Sequence, residues 1–235
     1  LEGVTTDLIG DPLPVSPFNP SGAGVSLDQG DVVLDVTGDI FLPGGISTGG
    51  NIAIDAGTTG NIDLNTSPLD ATGIVIQAGS LSNALNIFAT NLGLSIDAGY
   101  GADGSPVGVS NVQNIALGSD AGASYYLQLN TELQDDVTIV DSVQVRNQTV
   151  SGNQANNLYL ENVQGNIFVE APVSVVDEAT LFASDNAPLI DVHINDQVSA
   201  GNRIKVEATG DITQGGSGVL DSTNVVLKAG GNIGE

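Results

Sequence analysis

The chain has 235 residues, enough for one large domain or for a repeat array with a continuous core, and 31 of them are glycine. Only four Lys and Arg stand against 28 Asp and Glu, so the formal net charge of −24 excludes nucleic acid and anionic lipid as partners by like-charge repulsion. Cysteine is absent, which excludes disulfide bonds and thiolate metal sites, and no apolar run reaches the roughly 18 residues that a membrane span requires.

The apolar residues are of a restricted kind. They make up 40% of the chain, yet only 4% of the chain is aromatic, and tryptophan and methionine are absent. Most are therefore Val, Ile, Leu and Ala, which suit narrow, regular layers. Together with many turn-forming Gly, Asn, Asp and Ser residues, this composition predicts short strands, frequent corners and little helix. Because methionine is lacking throughout, we expect a mature product or a piece of a longer protein.

Residues 1–24 differ in composition from the rest of the chain. They contain four of the nine prolines, namely Pro12, Pro14, Pro17 and Pro20, and show no clean alternation of apolar and polar residues. Proline-rich segments of this kind are typical of connectors and irregular caps. We therefore predict an irregular lead-in or cap over residues 1–24 and a repeat structure over residues 25–235.

From residue 25 a recurring unit takes over, in which a Gly-Asn or Gly-Asp pair precedes alternating apolar and polar residues. In the copy at Gly50–Ala56, Ile52 and Ile54 fall on one face of a strand because side chains alternate with period two. A strand this short cannot bury a face alone, so the copies must stack on one another. The clearest copies begin with Gly38-Asp39-Ile40, Gly50-Asn51-Ile52, Gly60-Asn61-Ile62, Gly165-Asn166-Ile167, Gly210-Asp211-Ile212 and Gly231-Asn232-Ile233.

The spacing of the copies favours a solenoid. Gly38 and Gly60 are 22 residues apart, Gly210 and Gly231 are 21 apart, and two or three strands in such a span amount to one turn. The sequence therefore predicts an all-β fold, a right-handed parallel β-helix (β-solenoid) of about ten coils and about 50 Å in length. Its middle, at about residues 100–160, is looser, and segments 101–106 and 151–157 are predicted to leave the rod as loops. A β-sandwich is the competing fold, since strands every 8 to 12 residues or so also fit it.

The Gly-Asx pairs are predicted to form the corners between faces of the solenoid. Sharp bends need positive φ, which Gly adopts freely and which Asn and Asp tolerate best. Stacked Asn side chains on successive coils can also form hydrogen-bonded ladders. The predicted corner residues are Gly38, Gly50, Asn51, Gly60, Asn61, Gly165, Asn166, Gly210, Gly231 and Asn232.

The single histidine gives little support for catalysis. His193 alternates with Val192 and Ile194, so it is predicted on the outward face of a strand rather than in a catalytic triad. Asp31 and Asp35 share a face and could act as an acid pair in a glycosidase. We nevertheless predict that the protein is not an enzyme. The first 145 residues contain no basic side chain to bind an acidic sugar, and aromatic side chains on which a sugar could stack are scarce. The candidates for such platforms are Tyr125, Tyr126 and Tyr159.

Calcium is the ligand that the acidic loops fit best. Segments 97–105 and 130–136 contain several oxygen-bearing side chains, which are the ligands that Ca²⁺ prefers. Neither segment matches an EF-hand or a calcium-binding nonapeptide array. The candidate ligands are Asp97, Asp103, Asp135 and Asp136. Ordinary solvated acidic loops are the alternative, and no cofactor is expected.

Two stretches near the carboxyl end, Ala208–Gln214 and Val225–Gly234, resemble the repeat region of filamentous-haemagglutinin-like proteins. These are large exoproteins of two-partner secretion systems and related bacterial surface adhesins. The Gly-Asn-Ile units at 50, 60 and 165 are similar to the same repeats, so that the resemblance covers about residues 30–100 and 160–235. It implies a right-handed parallel β-helix fibre that projects from a cell. The secretion signature of the amino-terminal transport domain is not matched, since Phe18-Asn19-Pro20-Ser21 is a poor fit, which implies a stalk segment.

Two functions remain open from the sequence. The first is a structural or adhesive segment of a secreted bacterial surface protein, a rigid fibre that stacks end to end with itself or with neighbouring repeats of a longer chain. The second is a β-helix that binds or cleaves carbohydrate, such as a cell-surface or matrix polysaccharide. Either function places the protein outside the cell.

Overall fold

The computed structural model describes residues 24–84, 86–118, 124–129, 136–139, 155–184 and 189–234, with the side chains of residues 155 and 156 excepted. Residues 1–23 of the predicted lead-in, Asp135 and residues 151–154 of the second predicted loop lie outside these ranges. The described residues contain strands and turns and no helix, and therefore no helix among them is long and apolar enough to cross a membrane.

The described residues contain twenty strands, and most of these strands are three to five residues long. They are β1 (Val25–Leu27), β2 (Val32–Asp35), β3 (Ile40–Phe41), β4 (Ile46–Thr48), β5 (Asn51–Asp55), β6 (Asn61–Asp63), β7 (Leu69–Ala78), β8 (Ser80–Ser82), β9 (Ile87–Ile96), β10 (Val107–Val109), β11 (Asn114–Gly118), β12 (Tyr125–Leu129), β13 (Val137–Ile139), β14 (Ala155–Asn162), β15 (Ile167–Val169), β16 (Val173–Ala183), β17 (Val192–Ile194), β18 (Gln197–Ala208), β19 (Ile212–Gln214) and β20 (Val219–Ala229).

The strands form three parallel sheets that wind around one core. The first sheet has eleven strands and runs from β1 to β19, with β2 and β5 beside its main path. The second runs in the order β10-β12-β14-β16-β18-β20, and the third in the order β3-β6-β8. Each strand pairs with the strand at the equivalent position one coil later, which confirms the β-solenoid and excludes the β-sandwich. The handedness stays a prediction.

The solenoid has about eight turns rather than the ten predicted. Nine strands follow one another along the main path of the first sheet, and the eight steps between them are the turns. The prediction was too high because the coils are not uniform in length. Leu127 pairs with Leu160, which is 33 residues later, whereas Val107 pairs with Leu127 after only 20. At about 4.8 Å per coil, eight turns give a rod of about 40 Å.

The core is a stack of aliphatic side chains in register. Ile52, Ile74, Leu92, Ile115 and Ile139 occupy the same position in five successive coils, and all are at most 2% exposed. Each buried side chain of this size contributes about 1.5–3 kcal/mol relative to an exposed one. Because the inward side chains of each coil pack against those of the coils above and below, stability comes from the stacking of coils rather than from any single coil.

Candidate functional site

A ladder of Asn and Asp side chains joins the coils of the carboxyl-terminal half. Asn166 donates its backbone N–H to Asp136 Oδ1 at 2.9 Å, and Asp191 donates its N–H to Asn166 Oδ1 at 2.7 Å. Asp211 then donates to Asp191 Oδ1 at 2.6 Å, and Asn232 to Asp211 Oδ1 at 2.5 Å. We call these five residues the Asx ladder. The side-chain oxygens of the first four accept the backbone N–H of the next ladder residue, a group that would otherwise need another acceptor.

The Asx ladder has a direction. At each step the side-chain oxygen accepts from the coil that follows in sequence, never from the coil that precedes it. The same direction holds in the amino-terminal half, where Asp31 Oδ1 accepts from the N–H of Asn51 at 2.8 Å and Asp39 Oδ1 accepts from that of Asn61 at 2.9 Å. Every coil with such a side chain therefore presents an acceptor to the next one.

The glycines before the ladder residues make room for these oxygens. A Cβ at Gly210 would collide with Asp191 Oδ1, one at Gly231 with Asp211 Oδ1, and one at Gly50 would lie 2.8 Å from Asp31 Oδ1. Of the ten predicted corner residues only Gly38 has positive φ, so the expected positive φ is wrong for the other nine. At Gly60, a Cβ would collide with backbone carbonyl oxygens. The glycine of a Gly-Asx pair is therefore needed mainly because the preceding coil lies close to it, and less because the chain bends there. Ile190 precedes Asp191, so the glycine is not required on every coil.

Positive φ occurs instead where strands end. Gly57 follows β5, and Asn65 and Asn83 follow β6 and β8, each with φ between 47° and 70°. Asp55 Oδ1 accepts from the Gly57 N–H at 2.7 Å, and Asp63 Oδ1 accepts from the Asn65 N–H at 2.8 Å. These are the local side-chain turns that Asp forms with the residue two positions on. Strand starts and strand ends therefore use Asx residues in two different ways.

In the last described coil, residues 219–234, the inward side chains are exposed or only partly buried. Val225 pairs with Ile204 and Ile233 with Ile212, yet Val225 is 43% and Ile233 is 53% exposed, whereas Ile204 and Ile212 are buried. At the other end, the inward Val32 and Leu34 of the first described coil are buried. The inward Leu27, which pairs with the buried Thr48, is however 38% exposed, so both ends of the described solenoid leave part of their inward layer uncovered.

The calcium candidates are not brought together. Asp97 follows β9, Asp103 lies in the loop that an Ala102–Ser105 bridge closes, and Asp136 accepts the N–H of Asn166 as the first residue of the Asx ladder. Asp135 lies outside the described residues. Across the part of the chain that the structure describes, no group of three or more His, Cys, Asp and Glu side chains is placed to hold a metal ion.

His193 lies on the outward face of β17, as its alternation indicates, but it is not simply solvated. Its ring stacks on Phe168 of the preceding coil, with ring centroids 4.4 Å apart and planes at 12°. Nδ1 lies 2.7 Å from Thr213 Oγ1 on the following coil. The histidine therefore ties three coils together on the outside of the first sheet, a contact that no local sequence pattern indicates.

The outward face of the second sheet gathers the aromatic and basic residues. Tyr126 and Tyr159 are neighbours in register and both are half-buried. Tyr159 donates its hydroxyl to Glu161 Oε2 at 3.0 Å, and Gln128 donates to the same oxygen at 3.0 Å. Burial, together with the Glu161 carboxylate, raises the pKa of Tyr159, so the hydroxyl remains a donor. Three ion pairs lie on the same face, namely Arg203–Glu178 (2.8 Å), Lys205–Glu207 (3.3 Å) and Lys228–Glu207 (3.7 Å).

Tyr125 is not available for stacking on a sugar. It is fully buried, and its hydroxyl accepts from the Ile96 N–H at 2.8 Å and donates to the Gly118 carbonyl oxygen. Burial raises the pKa of Tyr125, so the group stays neutral. Of the three tyrosines named as platforms, Tyr126 and Tyr159 lie on the surface and Tyr125 belongs to the core.

From the sequence, Asn166 and Asn232 are predicted as corner residues, and Asp211 is noted only within a repeat copy. Asp136 is predicted instead as a calcium candidate, and Asp191 is not singled out as a corner residue. The signal was present, because four of the five ladder residues directly precede a buried Val or Ile that begins a strand; the fifth, Asn232, precedes the exposed Ile233, which forms an isolated bridge with Ile212. The Gly-Asx-Ile pattern does not include Asp136 and Asp191, because neither residue follows a glycine.

A scan against protein-family models gave no match for this chain, and searches of curated proteins and of solved structures likewise gave no match. The function of the protein is therefore inferred from its structure and its sequence.

Gly210→Ala tests the close approach in the Asx ladder. We expect it to lower the free energy of unfolding by about 2 kcal/mol, because the new methyl collides with Asp191 Oδ1 and must displace a hydrogen-bonded side chain. Urea denaturation followed by circular dichroism measures the change. Gly108→Ala is the matched control, since a Cβ there meets open space and its φ is not positive, so its effect should stay within about 0.5 kcal/mol. An equal decrease in the free energy of unfolding for the two variants would contradict the role assigned to Gly210.

Proposed function

We propose that this chain is a structural segment of a secreted bacterial surface protein, a rigid β-solenoid stalk that continues end to end into further coils. The observation that carries the proposal is the continuous parallel core, in which each coil pairs in register with the next over about eight turns. Coils stacked in this way form a stiff rod, which is the property that a stalk requires.

The charge distribution is consistent with a stalk. The described basic side chains, Arg203, Lys205 and Lys228, lie on the second sheet, and each forms an ion pair with a glutamate. The whole chain has 28 Asp and Glu against four Lys and Arg, so the protein is strongly acidic. Like charge along the flanks opposes the side-by-side association of rods.

The sequence resemblance to filamentous-haemagglutinin repeats supports the extracellular setting. The residues that carry it, such as Gly210-Asp211-Ile212 and Gly231-Asn232-Ile233, are members of the Asx ladder or immediate neighbours of it. The resemblance therefore rests on residues that set the stacking of coils. A lack of cysteine and an acidic surface suit an exported protein as well.

Immunogold labelling of intact producing cells tests the proposal. Antibodies raised against the folded chain should decorate non-permeabilised cells, with gold particles held away from the envelope, as expected for a projecting stalk. An antibody against a cytoplasmic protein serves as the control for cell integrity. Labelling that appears only after permeabilisation would overturn the surface assignment.

A carbohydrate-binding role is the second candidate, and the paired Tyr126 and Tyr159 rings favour it. Two aromatic side chains in successive coils, beside the Glu161 carboxylate, combine stacking surfaces with hydrogen-bond acceptors in the way that polar ligands require. The ligand would be a neutral polysaccharide lying along the rod, because the ion pairs balance the charge of this face.

Glycan binding is measurable on the purified chain. If the second candidate is right, Tyr126→Ala should weaken binding to a neutral polysaccharide about tenfold, since one stacking contact is lost. Val33→Ala is the control, because Val33 is an exposed outward residue of the first sheet. No binding across a panel of neutral polysaccharides, or equal binding by both variants, would remove this candidate.

A further inference from the structure

A carboxylate lies buried on the outward face of the second sheet. Glu161 alternates with the inward Leu160 and Asn162 of β14, so its side chain belongs to the outward face, yet only 9% of the residue is exposed. A carboxylate taken out of water needs hydrogen-bond donors or a cation to compensate for its lost hydration. The contacts of Glu161 therefore indicate which groups this face can bind.

The two carboxylate oxygens of Glu161 differ in their contacts. Oε2 accepts from the Tyr159 hydroxyl and from Gln128 Nε2, both at 3.0 Å. Oε1 accepts no hydrogen bond from the described residues, and none of their ion pairs includes Glu161. Each carboxylate oxygen has two lone pairs. Oε2 is thus saturated by the protein, whereas Oε1 can still accept from a donor outside it.

Aromatic rings on three successive coils accompany this carboxylate. Tyr126 and Tyr159 occupy equivalent positions on β12 and β14, and Phe182 of β16 is the neighbour of Glu161 in register. All three aromatic side chains are half-buried. Because coils lie about 4.8 Å apart, the rings extend over about 10 Å along the rod. Apolar rings beside a few fixed polar atoms are the lining that orients a polar ligand.

The charge of Glu161 is not balanced in the way that the charge of its neighbour is. Glu207 lies two coils after Glu161 at the equivalent strand position, and it pairs with Lys205 and Lys228. The pKa of Tyr159 is raised, first by burial and then by the Glu161 carboxylate, with a smaller effect of Glu207. The potential beside Tyr159 is therefore negative. It attracts hydroxyl hydrogens and repels the carboxylates of an acidic ligand.

We propose that Glu161 is the specificity-determining residue of a glycan subsite on the second sheet, where Oε1 accepts hydroxyl hydrogens of a neutral sugar unit whose ring lies against Tyr159 and Phe182. This inference rests on the carbohydrate-binding role proposed above and names the atom that selects the ligand. The ligand class is a neutral polysaccharide with free hydroxyl groups, and the same polymer bearing carboxylates is the ligand that this face rejects.

The experiment compares Glu161→Gln with Glu170→Gln in the full chain. Both substitutions remove one negative charge and preserve side-chain size, but Glu170 follows β15 of the first sheet and is exposed. Binding is measured by isothermal titration calorimetry at low salt, with a panel of neutral polysaccharides and with each polymer after oxidation of its primary hydroxyls to carboxylates.

Glu161→Gln should change the two affinities in opposite directions. Binding to the neutral polymer should weaken about fivefold, because hydrogen bonds to a charged acceptor are lost. Binding to the oxidised polymer should strengthen at least about threefold, because the repulsion between carboxylates is removed. Glu170→Gln should bind both polymers as the unmodified chain does. Damage to the fold would weaken both affinities together, so opposite changes identify recognition.

Glu161→Asp provides a second test. It keeps the charge but shortens the side chain, so it should weaken binding to the neutral polymer several-fold without strengthening binding to the oxidised one. Equal effects of Glu161→Gln and Glu170→Gln, or neutral binding that Glu161→Asp leaves unchanged, would overturn the proposal.

Failure of this inference is distinguishable from failure of the carbohydrate-binding role. If Tyr126→Ala weakens binding to a neutral polysaccharide while both Glu161 variants bind as the unmodified chain does, only the role of Glu161 is overturned. If the unmodified chain binds no polymer of the panel, both are overturned. Labelling of intact cells does not depend on either result, so the stalk function is tested separately.

Discussion

The register between successive coils decides whether each side chain of this protein lies inside or outside. Side chains alternate with period two along a strand, so a slip of one residue would bring Val75 into the core and expel Ile74. Short strands such as β17, of three residues, offer few pairing positions to prevent a slip. The Asx ladder supplies a fixed point at the start of these strands, because one oxygen on each coil must meet one N–H on the next.

This constraint explains why Asn, Asp and Gly recur at the strand starts. An Asx oxygen can reach the N–H of the next coil only if that coil approaches closely, and a Cβ at Gly210 or Gly231 would prevent the approach. Once the register is fixed, the aliphatic side chains stack directly and the core continues without a break from Ile52 to Ile139 and beyond. The polar exterior and the apolar interior are therefore two results of the same alignment.

The sequence was sufficient for the fold class and for the inward faces. Period-two alternation at Gly50–Ala56 correctly predicted Ile52 and Ile54 in the core. The number of turns was wrong because coil length varies, as between Leu127 and Leu160, and loop length leaves no periodic signal. The reason given for the corner glycines was wrong at Gly50, since composition cannot distinguish a residue that bends the chain from one that admits a neighbour.

The candidate site was less predictable than the fold. Tyr125 and Tyr126 are adjacent in sequence, yet one lies in the core and the other on the surface; alternation alone requires them to differ but does not say which is inside. The His193–Phe168 stack joins residues 25 positions apart and follows only from the register.

A double-mutant cycle between Gly210 and Asp191 tests the account most directly. Free energies of unfolding are measured for the unmodified chain, Gly210→Ala, Asp191→Ala and the double variant. If the glycine is needed because of the Asp191 oxygen, the cost of Gly210→Ala should fall by at least about 1 kcal/mol once Asp191 is truncated. If Gly210→Ala lowered the free energy of unfolding equally with and without the Asp191 side chain, the claim that the Asx ladder and its glycines together set the register would be contradicted.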